Sequence, residues 1–117
     1  MWYNHFMASF KEYLGEKVEV IMDRPLGTKH PKWGFVYEVN YGYIPNTKAP
    51  DGEEIDAYVL GVDEPLKKFK GKVIAIIHRL DDDDDKLIVS EGKDFTDKEI
   101  LEKTAFQEKF FKPAIVR

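Results

Sequence analysis

The order of apolar and polar positions divides the chain into stretches of different period. In "NHFMASFKEYLG", Phe6, Phe10 and Leu14 recur at i, i+4 and i+8, the spacing of one helix face. Gly15 stands where a C-terminal cap belongs, so the spacing predicts a helix over 4–14. "KVEVIM" (17–22) is β-branched and partly alternating, which predicts a strand, and Pro25, Gly27 and Pro31 then break it. "EEIDAYVLGV" (53–62) and "KVIAIIHRL" (72–80) are denser β-runs joined through turn chemistry at Pro65 and Gly71, and "KLIVS" (86–90) makes a further strand. Thr96 with Glu99 forms a capping box, with Phe95 and Ile100 at the positions of a hydrophobic staple. These predict a helix from about 97 to 111, stopped by Pro113. Short strands flanked by helices at both ends predict a mainly β, α+β domain: a small, strongly curved sheet or barrel with helices outside.

Size and charge narrow this picture. With 117 residues, 43% of them hydrophobic, the chain can bury one real core and is too short for two, so residues 1–117 are expected to form a single domain. The net charge is −4 with dispersed basic residues, which argues against nucleic acid as a partner. The absence of cysteine fits a reducing cytoplasm. There is no apolar run of about 18 residues, and "MWYNHFMASF" lacks the basic and apolar regions of a signal peptide. A cytoplasmic protein without a membrane partner is the expectation.

The chemistry concentrates in acidic residues. "RLDDDDDKLIV" (79–89) sets five aspartates in a row between two apolar stretches. Carboxylates about 6 Å apart repel by roughly 3 kcal/mol at an effective dielectric of ~20, so partners must offset the charge or the loop must stay wet. A second group lies in "APDGEEIDAYVL". Asp51 by itself is an ordinary turn residue, between Pro50 and Gly52, and Glu53 and Glu54 by themselves are solvated loop charges. Asp56 differs, because alternation sets it on the same strand face as Tyr58 and Leu60. A carboxylate on a partly buried face beside others on a turn is a natural site for a hard cation such as magnesium, which takes oxygen ligands and shares them with substrate phosphates. Lys86 closes the aspartate run and, without context, reads as a surface lysine. "DDDDK" looks like a protease-cleavage tag, yet it lies between two β-runs and not at a fusion joint.

Taken together, "NYGYIPNT" (40–47), "DGEEIDAYVL" (51–60), "DDDDDKLIV" (81–89) and "FFK" (110–112) resemble, in order and approximate spacing, the motifs of family I soluble inorganic pyrophosphatases. The resemblance spans about residues 18–112. It implies a small OB-like five-stranded barrel with peripheral N- and C-terminal helices, and magnesium-dependent hydrolysis of pyrophosphate to two phosphates, with manganese as an alternative metal. It also implies that Asp51 and Asp56 bind metal, with Asp82 and Asp84 or Asp85 as the second carboxylate pair. Glu53 stands at the place of the general base. Tyr41 and Tyr37 would hydrogen-bond phosphate, Lys86 and Lys112 would pair with its charge, and Lys32 is a candidate for a further basic contact. Pyrophosphate is a polyanion, so an acidic pocket holds it only by way of divalent cations. Oligomers are also implied, and "MWYNHF" carries more aromatic surface than one short helix buries.

The chain departs from the family pattern in three places. Asp23 to Tyr37 is a short connection where the family has an extra hairpin with a glutamate ligand; Phe111 replaces a tyrosine; and Glu53 is one methylene longer than the expected aspartate. A shortened loop opens the pocket, which keeps alive a hydrolase of the same fold acting on another phosphoanhydride or phosphoester. A non-enzymatic OB-like module using aromatic stacking is the remaining alternative, and the acidic centre opposes it.

Overall fold

The structure, a computed structural model, describes residues 10–81 and 84–117. In chain order its elements are β1 (Lys17–Arg24), β2 (Asn40–Ile44), β3 (Ile55–Val59), β4 (Lys68–Arg79), β5 (Asp85–Ser90), helix α1 (Asp97–Glu108) and β6 (Pro113–Val116). Strand β1 pairs antiparallel with β2 on one side and, through Lys17–Ile21, with the first part of β4 on the other. The ring closes through antiparallel β2–β3, parallel β3–β5 and antiparallel β5–β4. The result is the expected closed five-stranded barrel, extended by β6 on the far half of β4.

Two faces of the strands carry two cores. Val20, Met22, Ile44, Ala57, Val59, Val73 and Leu87 form one cluster with members from all five barrel strands, which only inward-facing side chains of a closed sheet achieve. Tyr58, Leu60, Ala75, Ile77 and Ile88, the alternate positions, pack with Phe95, Ile100 and Phe106 of α1 and its approach. A register shift between Val73 and Ala75 moves Ile76 onto the inner face with Val73, a β-bulge that bends the longest strand around the barrel. Gly42 is required where β2 pairs closely with β1, because a Cβ there would lie 2.0 Å from the Ile21 carbonyl oxygen.

The capping box is present as predicted: Thr96 accepts from the Glu99 amide and Glu99 accepts from the Thr96 amide, with Phe95 and Ile100 both buried. Helix α1 ends at Glu108 and not near 111. The Phe110 and Phe111 amides bond back three residues, to the Gln107 and Glu108 carbonyls, tightening the chain into turns ahead of Pro113. This swings Phe110 and Phe111 off the helix. At the N-terminus only the last turn of the predicted 4–14 helix is described, at Phe10–Glu12, and residues 4–9 lie outside the described residues. Gly15 has φ +83°, as its capping position requires, and its amide bonds to the Val73 carbonyl. Strands β2 and β6 were not predicted from periodicity: one is five residues interrupted by Gly42, the other a four-residue edge begun by a proline. Among the described residues no helix is long and apolar enough to cross a membrane.

Candidate active site

Strand register brings the predicted polar residues together. Ala57 pairs with Leu87 in the parallel β3–β5 ladder, so Asp56 and Lys86, one residue earlier on each strand, emerge side by side on the α1 face. The Lys86 ammonium lies 2.7 Å from Asp56 Oδ2 and 2.9 Å from Asp84 Oδ2, and the residue is buried. It is no surface lysine. Tyr41, from β2, donates its hydroxyl to the same Asp56 oxygen at 2.9 Å. Burial, and after it the Asp56 charge, pushes the Tyr41 phenol well above its ordinary range, so this hydroxyl is a standing donor.

Behind this group lies a buried network. Arg79, at the end of β4, grips Glu108 of α1 with Nε at 3.0 Å and NH2 at 2.7 Å, and reaches Asp84 at 3.4 Å. Its guanidinium lies 3.6 Å from the centroid of the Phe111 ring. Phe111 thus serves as a stacking surface for a cation. Burial lowers the Arg79 pKa, and the Glu108 hydrogen bonds and charge more than offset that, so the guanidinium stays charged. Glu108, 1% exposed, also accepts from Tyr58 at 2.6 Å, Gln107 donates to the Tyr58 hydroxyl, and Tyr37 donates to Gln107. No buried side-chain polar atom among the described residues lacks a partner.

Above this floor opens a cavity of about 570 Å³. One end is polar, walled by Asp56, Lys86 and Arg79 with Asp23 and Arg24 from β1. Asp23 is pushed up in pKa chiefly by desolvation, against the neighbouring Arg24, with Asp56 and Glu54 adding to the rise. The lining is also aromatic: Trp33 and Phe35 both pack against Phe110, and Phe111 lies on Arg79. The short connection from Asp23 to Tyr37 is itself a minimal hairpin, closed by a bridge between Lys29 and Val36 and by paired bonds between Thr28 and Tyr37 and their neighbours. At its tip His30 Nδ1 accepts from the Lys32 and Trp33 amides, which fixes the turn that presents Trp33.

Of the residues singled out in the sequence, Tyr37, Tyr41, Asp56 and Lys86 line this cavity, and Asp84 bonds to Lys86 beneath it. Asp85 bonds instead to its register partner His78 at 2.6 Å. Asp51 and Glu53 are exposed on the turn before β3, where Asp51 accepts from the Glu53 amide. Lys112 is exposed, its amide donating to Asp81, and Lys32 stands at the rim, 5.6 Å from the Trp33 ring centroid. Asp82 lies outside the described residues. Arg79, Gln107 and Glu108 were not singled out. Glu108 had one signal, its place two helical turns beyond Ile100 on the buried stripe, where a charge demands a partner.

The donor chemistry suits a divalent cation. Asp56 and Asp84 already converge on one positive charge, offer hard oxygens, and are each about a third exposed to water. Magnesium is usually held by one or two carboxylates with water and phosphate oxygens completing the shell. Among the described residues no three acidic, cysteine or histidine side chains gather into a metal site.

The family model of inorganic pyrophosphatase matches residues 9–113. Solved structures agree in fold. An inorganic pyrophosphatase from Ehrlichia chaffeensis superposes with a TM-score of 0.66 at 16% identity, covering 86% of this chain and 84% of that one. One from Helicobacter pylori gives 0.63 at 17% identity over 89% and 83% of the two chains, and one from Neisseria gonorrhoeae gives 0.61 at 22% over 79% and 72%. With the family model covering nearly the whole chain and the barrel carrying Asp56, Lys86 and Tyr41 to one cavity, this chain belongs to the inorganic pyrophosphatase family.

Proposed function

We propose that the chain hydrolyses pyrophosphate to two phosphates in the polar end of the cavity, with magnesium, or alternatively manganese, held by Asp56 and Asp84. The observation that supports this best is the convergence of the Tyr41 hydroxyl and the Lys86 ammonium on one Asp56 oxygen at the wall of an open cavity. What the cation supplies when bound is neutralisation of the substrate charge and acidification of water. The chain's own residues do the rest. Lys86 has three N–H donors and spends two on Asp56 and Asp84, leaving the third for a phosphate oxygen. Arg79 adds a permanent positive charge to the same wall. Tyr41 and Tyr37 orient their neighbours as donors.

Asp51, Asp82 and Asp85 are proposed as further metal ligands, and Glu53 as the general base, approaching from the turn that leads into Asp56. Lys32 and Lys112 are proposed as outer phosphate contacts. Magnesium-dependent phosphate release from pyrophosphate, abolished by a chelator, is the expected result. Glu53→Gln should slow that release at least tenfold, a loss of about 1.4 kcal/mol or more of transition-state stabilisation, while magnesium still raises the melting temperature. Loss of the magnesium response in this variant would make Glu53 a ligand and not a base.

A cytoplasmic location and self-association complete the proposal. The aromatic stretch "MWYNHF" that motivates association lies outside the described residues. Light scattering at micromolar concentration is expected to give more than the monomer mass, and a clean monomer would end this part of the reading.

A further inference from the structure

The aromatic lining of the cavity has no task in binding pyrophosphate, which is small and wholly polar. Trp33 and Phe110 are 65% and 54% exposed, yet they adjoin, with ring centroids 6.2 Å apart and planes tilted by 30°. Phe35 continues the surface, stacked on Phe110 at 5.8 Å. Two separate devices build this wall: the His30-fixed tip of the Thr28–Tyr37 hairpin, and the turns that carry Phe110 and Phe111 off the end of α1. It is therefore a constructed face and not one stray side chain in water.

The geometry points to a second substrate class for this site: nucleoside 5′-diphosphates, with the base stacked on the Trp33–Phe110 wall and the diphosphate at Lys86, Arg79 and Asp56. The inference rests on the hydrolytic reading of the polar end. Charge and shape at the two ends of the cavity match the two ends of such a molecule. Lys86 and Asp56 meet at 2.7 Å on the lining, Trp33, Phe35 and Phe110 form a contiguous aromatic face on it, and Arg79 stacks on the Phe111 ring; among the described lining residues none is aliphatic. Flat π faces suit a base, which presents one whatever its identity, whereas an alkyl chain is better met by branched aliphatic groups. A volume of about 570 Å³ lies within the range of pockets that enclose ligands of nucleotide size. In the reaction, a water oxygen bonds to the terminal phosphorus and the bond from that phosphorus to the bridging oxygen breaks. The nucleoside monophosphate leaves with the bridging oxygen, and one proton passes to solvent.

The test compares ADP, geranyl diphosphate and pyrophosphate as substrates in magnesium, and AMP as a ligand by calorimetry, for wild type and for Trp33→Ala/Phe110→Ala. Both rings are exposed, so the variant is expected to melt near wild type, and its melting curve is recorded. ADP should be hydrolysed, with the ratio of its kcat/KM to that of pyrophosphate falling at least tenfold in the variant, and AMP affinity should fall likewise. Pyrophosphate turnover without ADP turnover or AMP binding would overturn the inference and leave the pyrophosphatase reading intact. So would an unchanged ratio in the variant, or a preference for geranyl diphosphate over ADP. Ring-dependent ADP turnover without pyrophosphate turnover would support the inference and sink the other reading.

Discussion

Asp56→Asn is expected to reduce magnesium-dependent pyrophosphate hydrolysis at least a hundredfold while leaving the melting temperature within a few degrees of wild type. The substitution keeps side-chain volume and removes the charge on which Lys86 and Tyr41 converge. Lys86 retains Asp84 at 2.9 Å, so the buried ammonium is not left without a counter-charge. A hundredfold loss corresponds to about 2.7 kcal/mol of transition-state stabilisation. Steady-state phosphate release measures it, and a variant that keeps more than a tenth of the wild-type rate would remove Asp56 from the reaction.

The largest effect on stability is expected at Arg79→Met. This strips Glu108, which is 1% exposed, of its two-pronged cationic partner and leaves it, among the described residues, the Tyr58 hydroxyl. Breaking a buried pair from one side costs about 3–5 kcal/mol, because the remaining charge is uncompensated. For a domain of this size that is a drop in melting temperature of more than roughly 10 °C. Arg79→Met combined with Glu108→Leu should recover most of the loss, since both charges are then absent and Gln107 still bonds to Tyr58. Thermal unfolding of the two variants settles the matter: a single variant melting within about 2 °C of wild type would show that the pair contributes little.

The parts of this molecule legible in the sequence are those with a local cause. Thr96 and Glu99 announce the start of α1 because capping is decided within four residues. The strands at 17–24, 55–59, 68–79 and 85–90 showed through β-branched density, although β4 begins four residues earlier than predicted, in the lysine-rich "KFKGK" that pairs with β1. Strand β2 was hidden because its glycine exists for the close approach of β1, a contact with no local signature. Asp56 and Lys86 were legible as motif members, but the burial of Lys86 depends on a parallel ladder joining residues 30 apart. Arg79 and Glu108 are 29 residues apart and belong to no local pattern, so only the fold reveals them. The aspartate run finds its explanation in the same way. Asp81 accepts from the distant Lys112 amide, while Asp84 is bonded by Lys86 and Arg79 and Asp85 by His78, donors from the strands β4 and β5 that flank the run, so its described members all meet a donor.

The pairing of Asp84 with Lys86 and Arg79 also bears on metal binding. A carboxylate held by two cations can trade one of them for a divalent ion, and the gain is visible in stability without any turnover. Binding to the native state alone contributes RT ln(1 + [L]/Kd), about 2.7 kcal/mol at a hundredfold excess over Kd, or on the order of 10 °C for a domain this size. The most direct measurement is therefore the melting temperature with magnesium against an ionic-strength control, for wild type and for Asp56→Asn/Asp84→Asn. The account predicts a rise of several degrees in wild type that vanishes in the double variant; an equal rise in both proteins would show that these two carboxylates do not hold the metal.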